Sequence, residues 1–345
     1  MKKVVERVAV LGAGSWGTAL AVLLANKGLS VRLWGRLEDG VQEMQKSREN
    51  RFFLPEVRLP EGLEVTEDKD QVMMDADAVV FAVPAQAVRE VVRRFRSFLQ
   101  PGRILINTAK GIETQSLLRL SQVLKQELPR EFWPCISVLS GPSHAEEVAR
   151  DLPTAVVAAA DSQAVAEAVQ DLFMTPRFRV YANLDVVGVE LGAALKNVIA
   201  LSTGISDGMG YGDNTRAALM TRGLTEIKRL GIALGAQSQT FAGLTGLGDL
   251  IVTCNSMHSR NRRAGMMLGQ GHSLTEVLHS IGMVVEGVET TKAAYHLAAR
   301  LGVEMPITNQ IYRVLFEDLS PPVAVENLML RLKKHELEEV AQEGV

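Results

Sequence analysis

Residues 7–17 read RVAVLGAGSWG, an apolar, valine-rich run that stops in glycines. Arg7–Leu11 has the composition of a buried strand, and the apolar stretch 15–27 behind it reads as a helix. Gly28 is placed to cap that helix. Between strand and helix lies Gly12-x-Gly14-x-x-Gly17. In such a turn the first glycine permits the tight bend and the second lets the backbone approach a pyrophosphate. The third lets helix and strand pack closely, and the helix N-terminus attracts the phosphate charge. A lone GxGxxG is weak evidence, but this one has a strand before it and a helix after it. A glycine-rich turn without a ligand uses the same residues, and Ser15 and Trp16 at its mouth suit capping or packing as well as binding.

Outward from this turn, strands are expected at Ser30–Trp34, 78–83, Ile104–Asn107, 136–139, Thr154–Ala160 and 177–181, with a helix over 162–173. β-Branched runs alternating with helical patterns indicate a parallel sheet with crossover helices. After Leu184 the pattern changes to 3.6-residue periodicity at 186–206, 215–234, 261–268, 273–281, 289–301, 306–316 and 322–330, with no convincing strand. The expected class is therefore α/β: a Rossmann-like, doubly wound, mostly parallel sheet domain over residues 1–184. An all-helical domain over 185–345 follows and would carry substrate and catalysis. A length of 345 residues suits two domains. The charged tail 331–345 is expected to fray.

The near-neutral balance of 37 Lys+Arg against 40 Asp+Glu, with only ten Phe, four Tyr and three Trp, argues against a general nucleic-acid binder. Two distant cysteines, Cys135 and Cys254, give neither a zinc spacing nor a disulfide framework, so a reducing cytoplasm fits best. The first dozen residues are too short an apolar run for a signal peptide. The apolar stretch 186–205 raises the question of a membrane span. Glu190, Lys196 and Asn197 inside it make lipid exposure costly, so a buried helix is expected. The histidines show no metal spacing, and no metal is expected.

Ligands of open parallel sheets bind at the carboxyl ends of the strands. The second strand runs into Gly35-Arg36, where an enzyme restricted to NAD would usually place an acid; here the first acid is Glu38. Arg36 there suits the 2′-phosphate of NADPH, although a solvated loop arginine looks the same. Another strand end supplies Lys110, and a third offers Gly141-Pro142-Ser143, where Ser143-x-x-Glu146 also reads as a capping box. Lys196 stands in a nearly apolar helix. Burial is expensive for a lysine and lowers its pKa toward a range useful for proton transfer, unless the side chain snorkels out. Asp249, in what reads as a glycine-rich loop, is a candidate counter-charge. Ser259-Arg260-Asn261-Arg262-Arg263 at a helix start suits a phosphate monoester, or simply a solvated basic face.

These segments together resemble the soluble, bacterial-type NAD(P)-dependent glycerol-3-phosphate dehydrogenase family over nearly the whole chain. The resemblance rests on GAGSWGTALA, Lys110-Gly111, SGPSHAEEVA, GVELGAALKNVIA, GLGDLIVTC, SRNRR and the VVEG of residues 284–287. It implies that Ser15, Trp16, Arg36, Lys110, Ala145, Arg260, Val284 and Glu286 bind the cofactor. It also implies that Lys110, Gly141, Ser143, Lys196, Asp249, Ser259, Arg260 and Asn261 surround the substrate, with Lys196 as the proton-transfer residue. The activity implied is reduction of dihydroxyacetone phosphate to sn-glycerol 3-phosphate for phospholipid synthesis, with NADP(H) favoured, NAD(H) usable, and a homodimer as the usual assembly. Two other readings share the plan: a dehydrogenase of a β-hydroxy acid or 2-ketopantoate, and an NADPH-sensing regulator without catalysis.

Overall fold

A computed structural model describes residues 5–333. Strand β1 (Arg7–Leu11) leads through the glycine turn into α1 (Ser15–Asn26) and β2 (Ser30–Trp34). Next come α2 (Val41–Ser47), a hairpin of β3 (Glu49–Asn50) and β4 (Leu54–Arg58), then β5 (Leu63–Thr66), α3 (Lys69–Met73), β6 (Ala78–Phe81) and α4 (Val88–Phe95). The half closes with β7 (Ile104–Asn107), α5 (Leu120–Glu127), β8 (Ile136–Ser140), α6 (Ala145–Ala149), β9 (Thr154–Ala160), α7 (Gln163–Phe173) and β10 (Phe178–Asn183). Eight of these strands form one sheet in the order β10-β9-β8-β7-β6-β1-β2-β5. Its inner strands are covered on both faces, as parallel sheets require, while the edge strand β10 alternates buried and exposed residues.

Every pairing in this sheet is parallel except β8 with β9. The segment joining those two holds only the five-residue α6, too short a helix to return the chain along the strand, so β9 runs back antiparallel. The β3–β4 hairpin and β5 were not expected from the sequence. The hairpin is short, and Pro55 in β4 reads as a breaker; proline is tolerated in this two-stranded edge pair.

Beyond β10 the described chain is helical: α8 (Val186–Gly208), α9 (Asp213–Ala233), α10 (Asp249–Asn255), α11 (Arg260–Gly269), α12 (Leu274–Ile281), α13 (Glu286–Leu301), α14 (Pro306–Phe316) and α15 (Pro321–Met329). Helix α8 is long and apolar enough to cross a membrane by length and composition, and 94% of its apolar window is buried inside the protein. Glycines seat α11 on it: a Cβ at Gly204 would lie 2.2 Å from the Arg262 carbonyl oxygen, and one at Gly265 would lie 2.2 Å from that of Leu201. That close approach carries the start of α11 up to the middle of α8. The expected loop around Asp249 is instead a π-turn, Leu244–Gly248, running into α10, because three glycines, Gly243, Gly246 and Gly248, hide its short helical pattern. From residue 334 on, the tail expected to fray lies outside the described residues.

Candidate active site

The glycine turn has the geometry its spacing demands. Gly12 sits at φ +119°, and a Cβ there would lie 2.5 Å from the Ala82 carbonyl oxygen. A Cβ at Gly17 would lie 1.9 Å from the Gly12 carbonyl oxygen, whereas one at Gly14 would meet nothing within 4 Å. Helix α1 has no side-chain cap and no acid in its first turn. Its free N–H groups and the open space over Gly14 fit a pyrophosphate. Among the described residues Trp16 Nε1 is buried without a partner, and the Ser15 hydroxyl donates to the Phe53 carbonyl at 2.6 Å. Arg36, at the end of β2, is paired with Asp39 and Glu38.

At the carboxyl ends of β7 and β8 the two halves meet in a buried charge cluster. Lys196 Nζ donates to Asp249 Oδ1 at 2.5 Å and to Thr253 Oγ1 at 2.6 Å. Lys110 Nζ donates to the other oxygen of Asp249 at 2.8 Å and to the Gly141 carbonyl at 2.9 Å. One carboxylate thus holds two ammonium groups, and at 1% exposure it cannot be solvated instead. Burial pulls Lys196 down to about 8, against the raising effect of Asp249. Burial alone would push Asp249 up, but the charges and hydrogen bonds of Lys110 and Lys196 outweigh it and hold the carboxyl below its ordinary range. The snorkelling alternative for Lys196 is excluded.

Ser143 corrects an expectation. Its hydroxyl donates to the Gly141 carbonyl at 3.0 Å, and α6 starts one residue later, with His144 as N-cap and no side-chain cap. The hydroxyl is drawn back to the strand end, so the capping box with Glu146 does not form. Ala145 opens α6 and is buried.

On the helical side, Ser259 caps α11, its hydroxyl accepting from the Arg262 N–H at 3.2 Å. Arg262 turns away from the site to Asp207, at 2.8 Å. Among the described residues the Arg260 guanidinium has no hydrogen-bond partner; burial draws its pKa below the ordinary value, with Glu286 and Glu146 opposing. Asn261 is engaged, donating to Asn197 Oδ1 at 2.9 Å and accepting from the Gly287 N–H at 2.8 Å, which leaves one amide hydrogen free. Glu286 bridges the halves: its Oε1 accepts from the Ala85 N–H at 3.0 Å, Oε2 is buried without a partner among the described residues, and burial raises its pKa to about 7. Val284 beside it is exposed.

Sequence reasoning missed Thr253 and His144. Thr253 lies one helical turn beyond Asp249, a spacing visible only once 249–255 is recognised as helix. His144 lies 5.6 Å, ring to ring, from His258, and its buried Nε2 has no partner among the described residues. Burial, and then the Lys196 charge, lower its pKa. No signal in the sequence brings these two rings together. Among the described residues no three His, Cys, Asp or Glu side chains converge on a metal position.

Two family models match the chain: the NAD-dependent glycerol-3-phosphate dehydrogenase N-terminus over residues 7–166, and the C-terminus of the same family over 185–326. The chain belongs to the NAD-dependent glycerol-3-phosphate dehydrogenase family. It is 60% identical to the glycerol-3-phosphate dehydrogenase [NAD(P)+] of Pelotomaculum thermopropionicum, over 97% of this chain and 96% of that one. It is 56% identical to the enzyme of that name from Desulfitobacterium hafniense, over 97% and 94%. The crystal structure of glycerol-3-phosphate dehydrogenase from Coxiella burnetii superposes with a TM-score of 0.90 at 41% identity, covering 94% of this chain and 99% of that one. Membership in this dehydrogenase family sets aside the non-catalytic regulator.

Proposed function

We propose that the chain reduces dihydroxyacetone phosphate reversibly to sn-glycerol 3-phosphate with a nicotinamide dinucleotide, supplying the backbone of phospholipids. One observation carries the reading: a buried lysine of lowered pKa, fixed by Asp249 and Thr253 where the nucleotide-type sheet meets the helical half. A bound nicotinamide supplies the hydride. Lys196, protonated, donates to the oxygen on which negative charge develops; neutral, it takes the alcohol proton in reverse. Lys110 polarises the carbonyl, and Asp249 holds both ammonium groups in place. Arg260 and the free amide hydrogen of Asn261 grip the substrate phosphate, and that remote binding aligns the reacting carbon; Gly141, Ser143 and Ser259 line the substrate position around them.

In this reading residues 1–184 hold the nucleotide through Gly12, Gly14, Ser15, Trp16, Gly17, Arg36, Lys110 and Ala145. Residues 185–345 supply Lys196, Asp249, Ser259, Arg260 and Asn261 to the substrate, facing Lys110, Gly141 and Ser143 of the first half, and Arg260, Val284 and Glu286 close over the cofactor. Arg36 favours NADPH over NADH. The protein works as a cytoplasmic homodimer and takes no metal. Following NADPH oxidation with dihydroxyacetone phosphate tests the proposal, with dihydroxyacetone and a 2-keto acid as controls. Turnover confined to the phosphorylated ketone is expected. Turnover of the keto acid alone would overturn the substrate assignment in favour of a 2-keto acid reductase.

A further inference from the structure

The end of β2 lies against the nucleotide turn. The Gly12 N–H donates to the Trp34 carbonyl at 2.9 Å, and a Cβ at Gly35 would come within 2.7 Å of Ala13. Arg36 therefore starts from a fixed point beside the dinucleotide position, and its guanidinium is held on two edges. On one, Nε donates to Asp39 Oδ2 at 3.2 Å and Nη2 to Asp39 Oδ1 at 3.0 Å; Asp39 Oδ2 also accepts from the Arg36 backbone N–H at 2.8 Å. On the other, Nη1 faces Glu38 Oε1 at 3.1 Å. The two acids differ in burial: the Asp39 side chain is 14% exposed and that of Glu38 is 66% exposed. Asp39, the more buried acid, orients the guanidinium through Nε and Nη2, while the more exposed Glu38 faces Nη1.

We propose that Glu38 is a specificity-determining residue, its carboxylate taking the face of Arg36 that a ribose 2′-phosphate would use and so tempering the preference for NADPH over NADH. This rests on the reading of Arg36 as the group that senses the 2′-position. Carboxylate and phosphate monoester seek the same guanidinium donors, so a 2′-phosphate must displace Glu38 and also faces its charge. A free 2′-hydroxyl carries no charge, so it gains little from displacing Glu38. The pair thus admits both dinucleotides where an unopposed arginine would select one.

Calorimetric binding of two cofactor fragments to the intact protein, 2′,5′-ADP and 5′-AMP, separates the effects without turnover. Glu38→Gln should tighten 2′,5′-ADP by about two- to fivefold, the range of an exposed ion pair, and leave 5′-AMP unchanged. The NADPH-over-NADH ratio of kcat/KM should rise by a similar factor. In an Arg36→Gln background the gain should fall below about 1.5-fold, because no guanidinium remains to be freed. If Arg36→Gln weakens 2′,5′-ADP and Glu38→Gln changes nothing, the role of Glu38 is overturned and that of Arg36 stands. If Arg36→Gln has no effect, both are overturned. An equal change for the two fragments marks a general charge effect and also overturns the proposal.

Discussion

The sheet half and the helical half present their chemistry with different parts of the chain. Around Gly12–Gly17 the working groups are backbone: a positive φ, a helix N-terminus without a cap, and open space where Gly14 lacks a side chain. Around Lys196 the working groups are side-chain charges, buried and balanced against one another across 53 residues of sequence. Backbone chemistry tolerates change in most side chains but none in a few glycines. Side-chain chemistry makes single residues indispensable, and it stores its cost in desolvated charge.

The largest effect expected from breaking this contrast is at Lys196. Lys196→Met keeps the stem and its packing, and Asp249 keeps Lys110 as partner at 2.8 Å, so the fold should survive. General acid–base help is typically worth about 10²–10⁴-fold, so kcat should fall by at least that much while NADPH affinity holds. The proposed role, ammonium in reduction and amine in oxidation, predicts that in the native protein the reduction rate falls, and the oxidation rate rises, as pH passes upward through about 8. Lys196→Met should lose that limb. Steady-state rates against pH measure both, and turnover within a few-fold of wild type would remove Lys196 from the mechanism.

Asp249→Asn attacks the same cluster from its acid side. Removing the charge leaves two ammonium groups facing each other in a buried site, a situation that costs about 3–5 kcal/mol. Asp249 raises the Lys196 pKa, so its loss should also move the pH limb to below about 8. Thermal unfolding reports the first effect and the pH–rate profile the second. An unchanged melting temperature would mean that the two lysines are compensated elsewhere.

How far the molecule is legible in its sequence follows the same division. The strand–glycine–helix unit is local, so RVAVLGAGSWG discloses it, and strands β1, β2, β7 and β9 have the limits that their runs of apolar residues set. The antiparallel β8–β9 pairing is not local; it depends on how short α6 turns out to be. Lys196 is visible as an anomaly, one ammonium in an apolar helix. Its partners are harder, because the glycines of 243–248 disguise the helix that places Asp249 and Thr253 on one face. Ser143 misleads for the opposite reason: its spacing to Glu146 matches a capping box, yet the Gly141 carbonyl claims the hydroxyl first.

Arg260→Ala tests whether the helical half reads phosphate by charge. A charge-assisted hydrogen bond is worth roughly 1.5–3 kcal/mol, so KM for dihydroxyacetone phosphate should rise about tenfold or more. The reduction of unphosphorylated dihydroxyacetone should hardly change. Arg260 also faces Glu286 electrostatically, so the NADPH KM is measured alongside. An equal loss with both ketones would place the arginine on the cofactor rather than on the phosphate.

The smallest effects sharpen the backbone side of the comparison. Gly17→Ala forces a methyl to within 1.9 Å of the Gly12 carbonyl oxygen, an overlap with backbone that a rotamer change cannot relieve. The helix must shift against the sheet, which typically costs about 1–3 kcal/mol and lowers the melting temperature accordingly. Gly14→Ala is different in kind. Gly14 is at φ −72° and ψ −178°, a conformation any residue adopts, and its Cβ would meet nothing within 4 Å. Alanine there should leave the apo stability unchanged to within about 0.5 kcal/mol, the scale of an unconstrained surface change. It should still weaken NADPH, because the methyl projects into the space through which the pyrophosphate approaches the backbone. The two variants together separate a glycine kept for packing from a glycine kept for a ligand. If Gly14→Ala bound NADPH as tightly as wild type, the open space over α1 would not be the phosphate position, and the nucleotide would have to be sought elsewhere along the strand ends.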